Sequence, residues 1–291
     1  MATLTAQEQT QFAEKGWLLL ADAVTTDQLA RLRADMAAWV EESRDHETAY
    51  GTSVDGRPRF DLQPGHTAEM PALRRVQAPS EVSDAYFEVL TNSRIVDAVA
   101  DVIGPNVRHH HNKINSKQPG SSTEVRWHQD FCFTPHTNCD LVTALLFVDD
   151  VTTENGPLEV DDGSHRGPLH GLWHDGVFTG AVDRSVEDDA KRNAVVLTGP
   201  AGSACLMHTR LMHGSTPNNS SDSRTLFIAV YAAADSVRCT PNPVPNTHDG
   251  LIVCGVEPGR VRGEPWEIEI PEYPKAVSFF AQQAADERAA M

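Results

Sequence analysis

Basic residues are scarce in this chain of 291 residues: 24 Lys and Arg face 41 Asp and Glu, for a net charge of −17. Binding nucleic acid or anionic lipid needs Lys- and Arg-rich faces that release counterions, so neither kind of partner is expected, while local anion pockets stay open. Cysteine is also scarce, with five residues, no C-x-x-C pair and no zinc-finger spacing. That removes a disulfide framework and a structural zinc site, and reads as free thiols in a reducing compartment. No apolar run exceeds Leu141 to Val148, far short of the roughly 18 residues of a spanning helix. The first residues carry neither a basic stretch nor an apolar core of a secretory leader, so a cytoplasmic location is expected. Internal repeats and low-complexity segments are absent. What is left is ordinary globular composition, 40% hydrophobic and 22% charged, and enough chain for one large core.

The hydrophobic pattern changes character once, near residue 105. Before it, apolar residues recur at helical spacing: Leu29, Leu32, Met36, Trp39 and Val40 behind the cap pair Thr25-Thr26, then Tyr86, Val89 and Leu90. A third such stretch, Ile95 to Ile103, follows Asn92-Ser93 and stops at Gly104-Pro105. Beyond it, short and often alternating segments separated by turn chemistry predict strands at 108–116, 125–131, 141–148, 156–160, 194–197, 203–208 and 224–232. The expectation is a mostly β fold with flanking helices, a sandwich or barrel. Residues 1–291 read as a single domain, with a mainly helical part to 105, a barrel core over 106–235 and a C-terminal extension closed by a helix near 273–289. Residues 45–75 are polar and aperiodic, and read as a loop that covers something.

His128-Gln129-Asp130 is the one His-x-Asp triplet. On a strand, residues two apart share a face, so an imidazole and a carboxylate would project into one site. They are two-thirds of the 2-His-1-carboxylate set that holds non-haem Fe(II) with positions left open. His213, a turn-rich loop and Arg224 eleven positions on form an expected hairpin returning a guanidinium near an imidazole. That suits a metal-chelated dicarboxylate such as 2-oxoglutarate, whose far carboxylate needs a fixed, bidentate, always-charged partner.

Trp127-His128-Gln129-Asp130, Glu154-Asn155-Gly156-Pro157-Leu158, Gly163-Ser164-His165, His213-Gly214-Ser215 and Arg224, taken in that order, resemble the phytanoyl-CoA dioxygenase family of Fe(II)/2-oxoglutarate oxygenases, which includes ectoine hydroxylase. The likeness runs from the Phe12–Leu20 segment to about residue 232. It implies a double-stranded β-helix, a jelly-roll or cupin-like barrel, flanked by N-terminal helices. His128, Asp130 and His213 would be the iron ligands and Arg224 the 2-oxoglutarate clamp, with Ser215 and Asn115 as further cosubstrate contacts. The implied reaction consumes O2 and 2-oxoglutarate, hydroxylates a small molecule and releases succinate and CO2. One departure is Asp161-Asp162-Gly163, where the family more often has proline before the glycine.

Alternation from an inward Asn115 puts Lys113, His111 and His109 on the same face, and Lys113 would meet an anionic group of the substrate. Trp127, Phe131, Phe133 and Trp173 are candidate apolar walls, and Arg210 a second candidate anion contact. His165 and His208 are read as structural. Desaturation, epoxidation or cyclisation would use the same residues, and a non-catalytic binding barrel would tolerate their loss. A zinc hydrolase is disfavoured, since no H-E-x-x-H is present. Nothing in the sequence fixes the oligomeric state.

Overall fold

The computed structural model describes residues 2–274. Its first third holds four helices, α1 (Ala6–Lys15), α2 (Thr26–Glu42), α3 (Asp84–Thr91) and α4 (Arg94–Ile103), each preceded by a Ser or Thr. Thr5 with Glu8 and Thr25 with Gln28 form reciprocal capping boxes. Ser83 caps α3, whereas the Ser93 hydroxyl turns back to the Val89 carbonyl and leaves α4 uncapped by its side chain. Gly16, at φ +80°, ends α1. A Cβ there would come within 2.8 Å of the His165 ring carbon and the Leu211 side chain, so only glycine permits the turn.

Three short strands lie among these helices, β1 (Trp17–Leu20), β2 (Phe60–Leu62) and β3 (Leu73–Gln77). The chain then continues as β4 (Val107–Lys117), β5 (Val125–His128), β6 (Leu141–Phe147), β7 (Leu158–Asp161), β8 (Trp173–His174) and β9 (Val177–Phe178). After α5 (Arg184–Arg192) come β10 (Ala194–Leu197), β11 (Ala204–His208), β12 (His213–Ser215), β13 (Arg224–Ala233) and β14 (Ile252–Cys254). The large antiparallel sheet runs β1-β11-β6-β13-β4-β3-β2, with β14 on the edge of β4. The small one runs β10-β7-β12-β5, and β8 pairs only with β9.

Alternation along β6, β11 and β13 decides what lies on either side of the large sheet. Val142, Ala144, Leu146, Leu206, Phe227 and Tyr231 face the helices, in one core with Leu32, Tyr86 and Val99. Leu145, Phe147, Cys205, Met207, Leu226 and Ile228 face inward and pack with Leu158, Val160 and Leu197 of the small sheet. Two antiparallel sheets thus close on one interior, the double-stranded β-helix expected. All five cysteines are free, with Cys132, Cys139 and Cys205 buried. No helix among the described residues is long and apolar enough to cross a membrane.

Several expectations require correction. The strand predicted over 125–131 stops at His128, and Asp130 opens a 3-10 turn. The buried Gln129 amide forces this break by donating to the Arg210 and Pro168 carbonyls. His213 opens a strand of the small sheet while Arg224 opens one of the large sheet, so the segment between them crosses the barrel and is no hairpin. The polar stretch 45–75 contains β2 and the start of β3. The helix near 273–289 lies outside the described residues, save Tyr273 and Pro274, which are not helical.

Candidate active site

β5 and β12 pair directly, with His128 opposite His213, and their rings lie 4.2 Å apart between centroids. The turn after β5 swings Asp130 back between them: its Oδ1 is 3.5 Å from His128 Nε2 and 3.7 Å from His213 Nε2. The three ligand atoms lie within 4.8 Å of one another, the only such grouping of three or more His, Cys, Asp or Glu among the described residues. Each histidine Nδ1 donates to a main-chain carbonyl, His128 to Arg126 at 2.7 Å and His213 to Leu211 at 2.9 Å. Those bonds fix the tautomer and aim both Nε2 lone pairs at one point. Thr143 donates to Asp130 Oδ2 at 2.6 Å, leaving Oδ1 turned to the same point.

Burial alone would raise the Asp130 pKa, but the facing His213, His128 and Lys113 hold it well below the usual carboxylate range. Burial and the neighbouring His128 push His213 down to about 4. A carboxylate oxygen and two imidazole nitrogens, open on one side, fit Fe(II).

A cavity of about 70 Å³ extends from the triad between the sheets to Arg224, walled by Leu145, Leu158, Met207 and Leu226. Arg224 is 3% exposed; its Nη2 donates to the Gly156 carbonyl at 2.7 Å, and its Nε has no partner among the described residues. Asn115 lines the same cavity, and its buried side-chain oxygen is likewise without a partner. Unmet buried donors of a cation at the far end of an apolar slot fit the distal carboxylate of 2-oxoglutarate.

Sequence reasoning missed Lys117 here. Its ammonium donates to Ser215 Oγ at 2.8 Å, the Ser215 carbonyl at 3.3 Å and the Thr216 carbonyl. Burial and the adjacent Arg224 push its pKa well below the ordinary value. Gly156, at φ +81°, closes this corner: a Cβ would sit 2.7 Å from the Thr216 carbonyl and 2.9 Å from the Lys117 side chain.

On the other side of the triad a second cavity, of about 120 Å³, touches His128, Asp130, His111 and Lys113. Arg75, which the sequence did not single out, also lines it, as does Arg57 from the covering 45–75 segment. Residues 270–274 form an outer wall, tied down where Trp173 donates to the Ile270 carbonyl and Tyr273 to Asp55.

The remaining predicted residues lie elsewhere. His109 leaves the face shared by His111, Lys113 and Asn115 because β4 bulges between positions 109 and 111, which reverses the alternation. It bonds Asn112 and the His248 carbonyl instead. Trp127 points away from the cavity and lies over Gly214 in a separate cluster with Leu172 and Phe178. Phe131 packs edge-on against Trp266, and Arg210 donates to the Gly167 carbonyl. Trp173 stands beside Phe178, and of the predicted aromatic walls only Phe133 lines the cavity. His208 and His165 lie against each other outside the site, their rings tilted at 42°, as expected of structural residues.

The family model of phytanoyl-CoA dioxygenase matches residues 12–226. The chain belongs to that family. It is 34% identical over 236 residues to a probable alpha-ketoglutarate-dependent hypophosphite dioxygenase of Stutzerimonas stutzeri, covering 79% of each protein. It is 28% identical over 242 residues to an L-proline trans-4-hydroxylase of Streptomyces griseoviridis, covering 76% of this chain and 84% of that one. The iron-bound crystal structure of EctD from S. alaskensis shares the fold, with a TM-score of 0.65 at 22% identity, over 93% of this chain and 89% of that one. This family member is a non-haem Fe(II)/2-oxoglutarate-dependent dioxygenase.

Proposed function

We propose that residues 1–291 act as one oxygenase domain that holds Fe(II) on His128, Asp130 and His213, seats 2-oxoglutarate against Arg224, and hydroxylates a small molecule in the chamber lined by Lys113 and His111. The carrying observation is that two chambers meet at the triad, both touching His128 and Asp130, with an underemployed guanidinium at the end of one. When bound, iron and 2-oxoglutarate supply the O2-dependent oxidation of a substrate bond, with succinate and CO2 released. The chain's own groups orient and enclose. Main-chain carbonyls fix both imidazoles, Thr143 turns Asp130, and Leu145, Leu158 and Met207 keep water from the cosubstrate. Asn115 has an unmet side-chain oxygen on that path, and Ser215 is held at its far end by Lys117. Relatives named for hypophosphite and for L-proline support a small substrate. A cytoplasmic location fits the five free thiols.

The test is anaerobic addition of Fe(II) and 2-oxoglutarate to the apoprotein. A weak visible charge-transfer band is expected from the wild type and is absent in His213→Ala. Folded wild-type protein that takes up iron yet gives no band with 2-oxoglutarate overturns the reading.

A further inference from the structure

Two cations line the chamber on the other side of the triad from Arg224, Arg75 on β3 and Lys113 on β4. Neither side chain makes a hydrogen bond or ion pair among the described residues, although Asp130 favours the charged form of Lys113 and Asp61 that of Arg75; the Arg75 Nε is fully buried and orphaned. Antiparallel register sets Arg75 opposite Asn115 and Gln77 opposite Lys113. The two cations are therefore diagonal neighbours on one face, about 7–8 Å apart at the backbone, a span that one oxyanion bridges. The carboxylate nearest in register to Arg75, Asp61, is taken by Arg74 at 2.7 Å. Arg57, at the mouth, is already paired with Asp55 at 2.7 Å.

An unpaired buried charge is costly and persists only where a ligand or counterion meets it. Asp130 is committed to the triad, and Lys113 borders both chambers, whereas Arg75 lines this one and not the cavity of Arg224 and Lys117, so the cosubstrate's far carboxylate on Arg224 does not meet Arg75. Beyond the two cations the chamber has apolar walls in Phe133, Phe178, Val230, Pro241 and Val244, with Thr134 and Thr240 among them and Glu272 on the outer wall.

We propose that the substrate is a small organic anion, its carboxylate or phosphonate bridged by Arg75 and Lys113 and its short apolar body laid against Phe133 and Val230 beside the triad. The assignment rests on the dioxygenase reading and adds the substrate's chemical class. Arg75 is then the specificity-determining residue, because a bidentate guanidinium on an oxyanion rejects a neutral isostere that leaves it unpaired.

The test uses the anaerobic holoprotein with Fe(II) and 2-oxoglutarate. Butyrate, propylphosphonate, butyramide and inorganic hypophosphite are titrated against the visible band, and succinate release is measured on admitting air. At least one of the two organic anions is expected to shift the band and raise succinate release tenfold or more over butyramide; butyrate against propylphosphonate separates the two head groups. Arg75→Met is expected to raise the half-saturating anion concentration tenfold or more while the band itself still forms, with Arg75→Lys recovering part of the loss. Equal response to butyramide, no response to either organic anion, or an unchanged half-saturation in Arg75→Met with its band intact overturns the proposal and leaves the dioxygenase reading standing. A response to hypophosphite alone overturns the organic body. Absence of the band in wild-type protein overturns both readings together.

Discussion

Arg224 and Lys117 bring like charges to one chamber for different jobs. Lys117 is spent on three oxygens of the 215–216 turn, whereas Arg224 keeps an unpartnered Nε. Replacing a fixed fork by a point charge costs about 1.5–3 kcal/mol in a charge-assisted pair. Arg224→Lys is therefore expected to raise the KM for 2-oxoglutarate about tenfold or more with iron affinity unchanged. Lys117→Met, acting only through Ser215 and the local field, should raise it less. Steady-state succinate assays decide, and an unchanged KM in Arg224→Lys removes the clamp role. Arg224 was legible because it closes a run that also contains His213, Gly214 and Ser215. Arg75 and Lys117 were not, since a lone cation on a half-polar strand looks like any solvated one until its partners prove missing. Trp127 and Phe131 misled for a related reason: a residue flanking a ligand faces the site or its back, and the Gln129 anchor that decides this is invisible in sequence.

At the scale of elements, the long strands and the four-residue β7 and β10 were legible, whereas strands of two or three residues were not. β6 and β13 announce themselves as apolar runs with buried faces on both sides, whereas β12 has three residues and takes its identity from partners distant in sequence. The bulge in β4 has no signature in a run of three histidines. Segment 45–75 was read as a cover, and the structure supplies its fastening. Arg59 pairs with Glu81 at 2.7 Å with both side chains 8% exposed, and Glu81 also accepts from the Thr247 amide at 2.6 Å. Burial opposes ionisation of Glu81, but the Thr247 amide and Arg59 outweigh it and its pKa falls below the ordinary value. A lowered carboxyl pKa gives stability that is complete above the unfolded value, about 4.3, and is lost as pH falls through the folded one. Glu81→Gln leaves the buried Arg59 with its carbonyl acceptors but no carboxylate and is expected to cost about 3–5 kcal/mol near neutral pH. Urea titrations should show that gap narrowing below about pH 4.3; a gap that stays constant there would mean the ion pair contributes nothing.

For the whole molecule, the relevant contrast is between an envelope at −17 and an interior holding Arg75, Lys113, Lys117 and Arg224 around the triad. Composition alone gave the envelope and, with it, the expectation that anionic polymers are not partners. It said nothing of the interior, because four cations among 24 are lost in a sum. The two fields act over different ranges. At about 0.01 M salt the screening length is about 30 Å, comparable with the molecule, and a dianion approaching the mouth feels the net repulsion. At about 0.15 M it shrinks to about 8 Å, so the approach is governed by the few charges near the opening while the buried ones stay unscreened. Added salt should therefore raise kcat/KM for 2-oxoglutarate, by roughly twofold or more over that interval, whereas an ordinary cationic anion-binding surface would lose rate. Chloride and sulfate salts compared at equal ionic strength separate screening from ion competition. A rate that falls in both would mean that the interior cations project their field beyond the mouth and capture the cosubstrate from solution in spite of the acidic envelope.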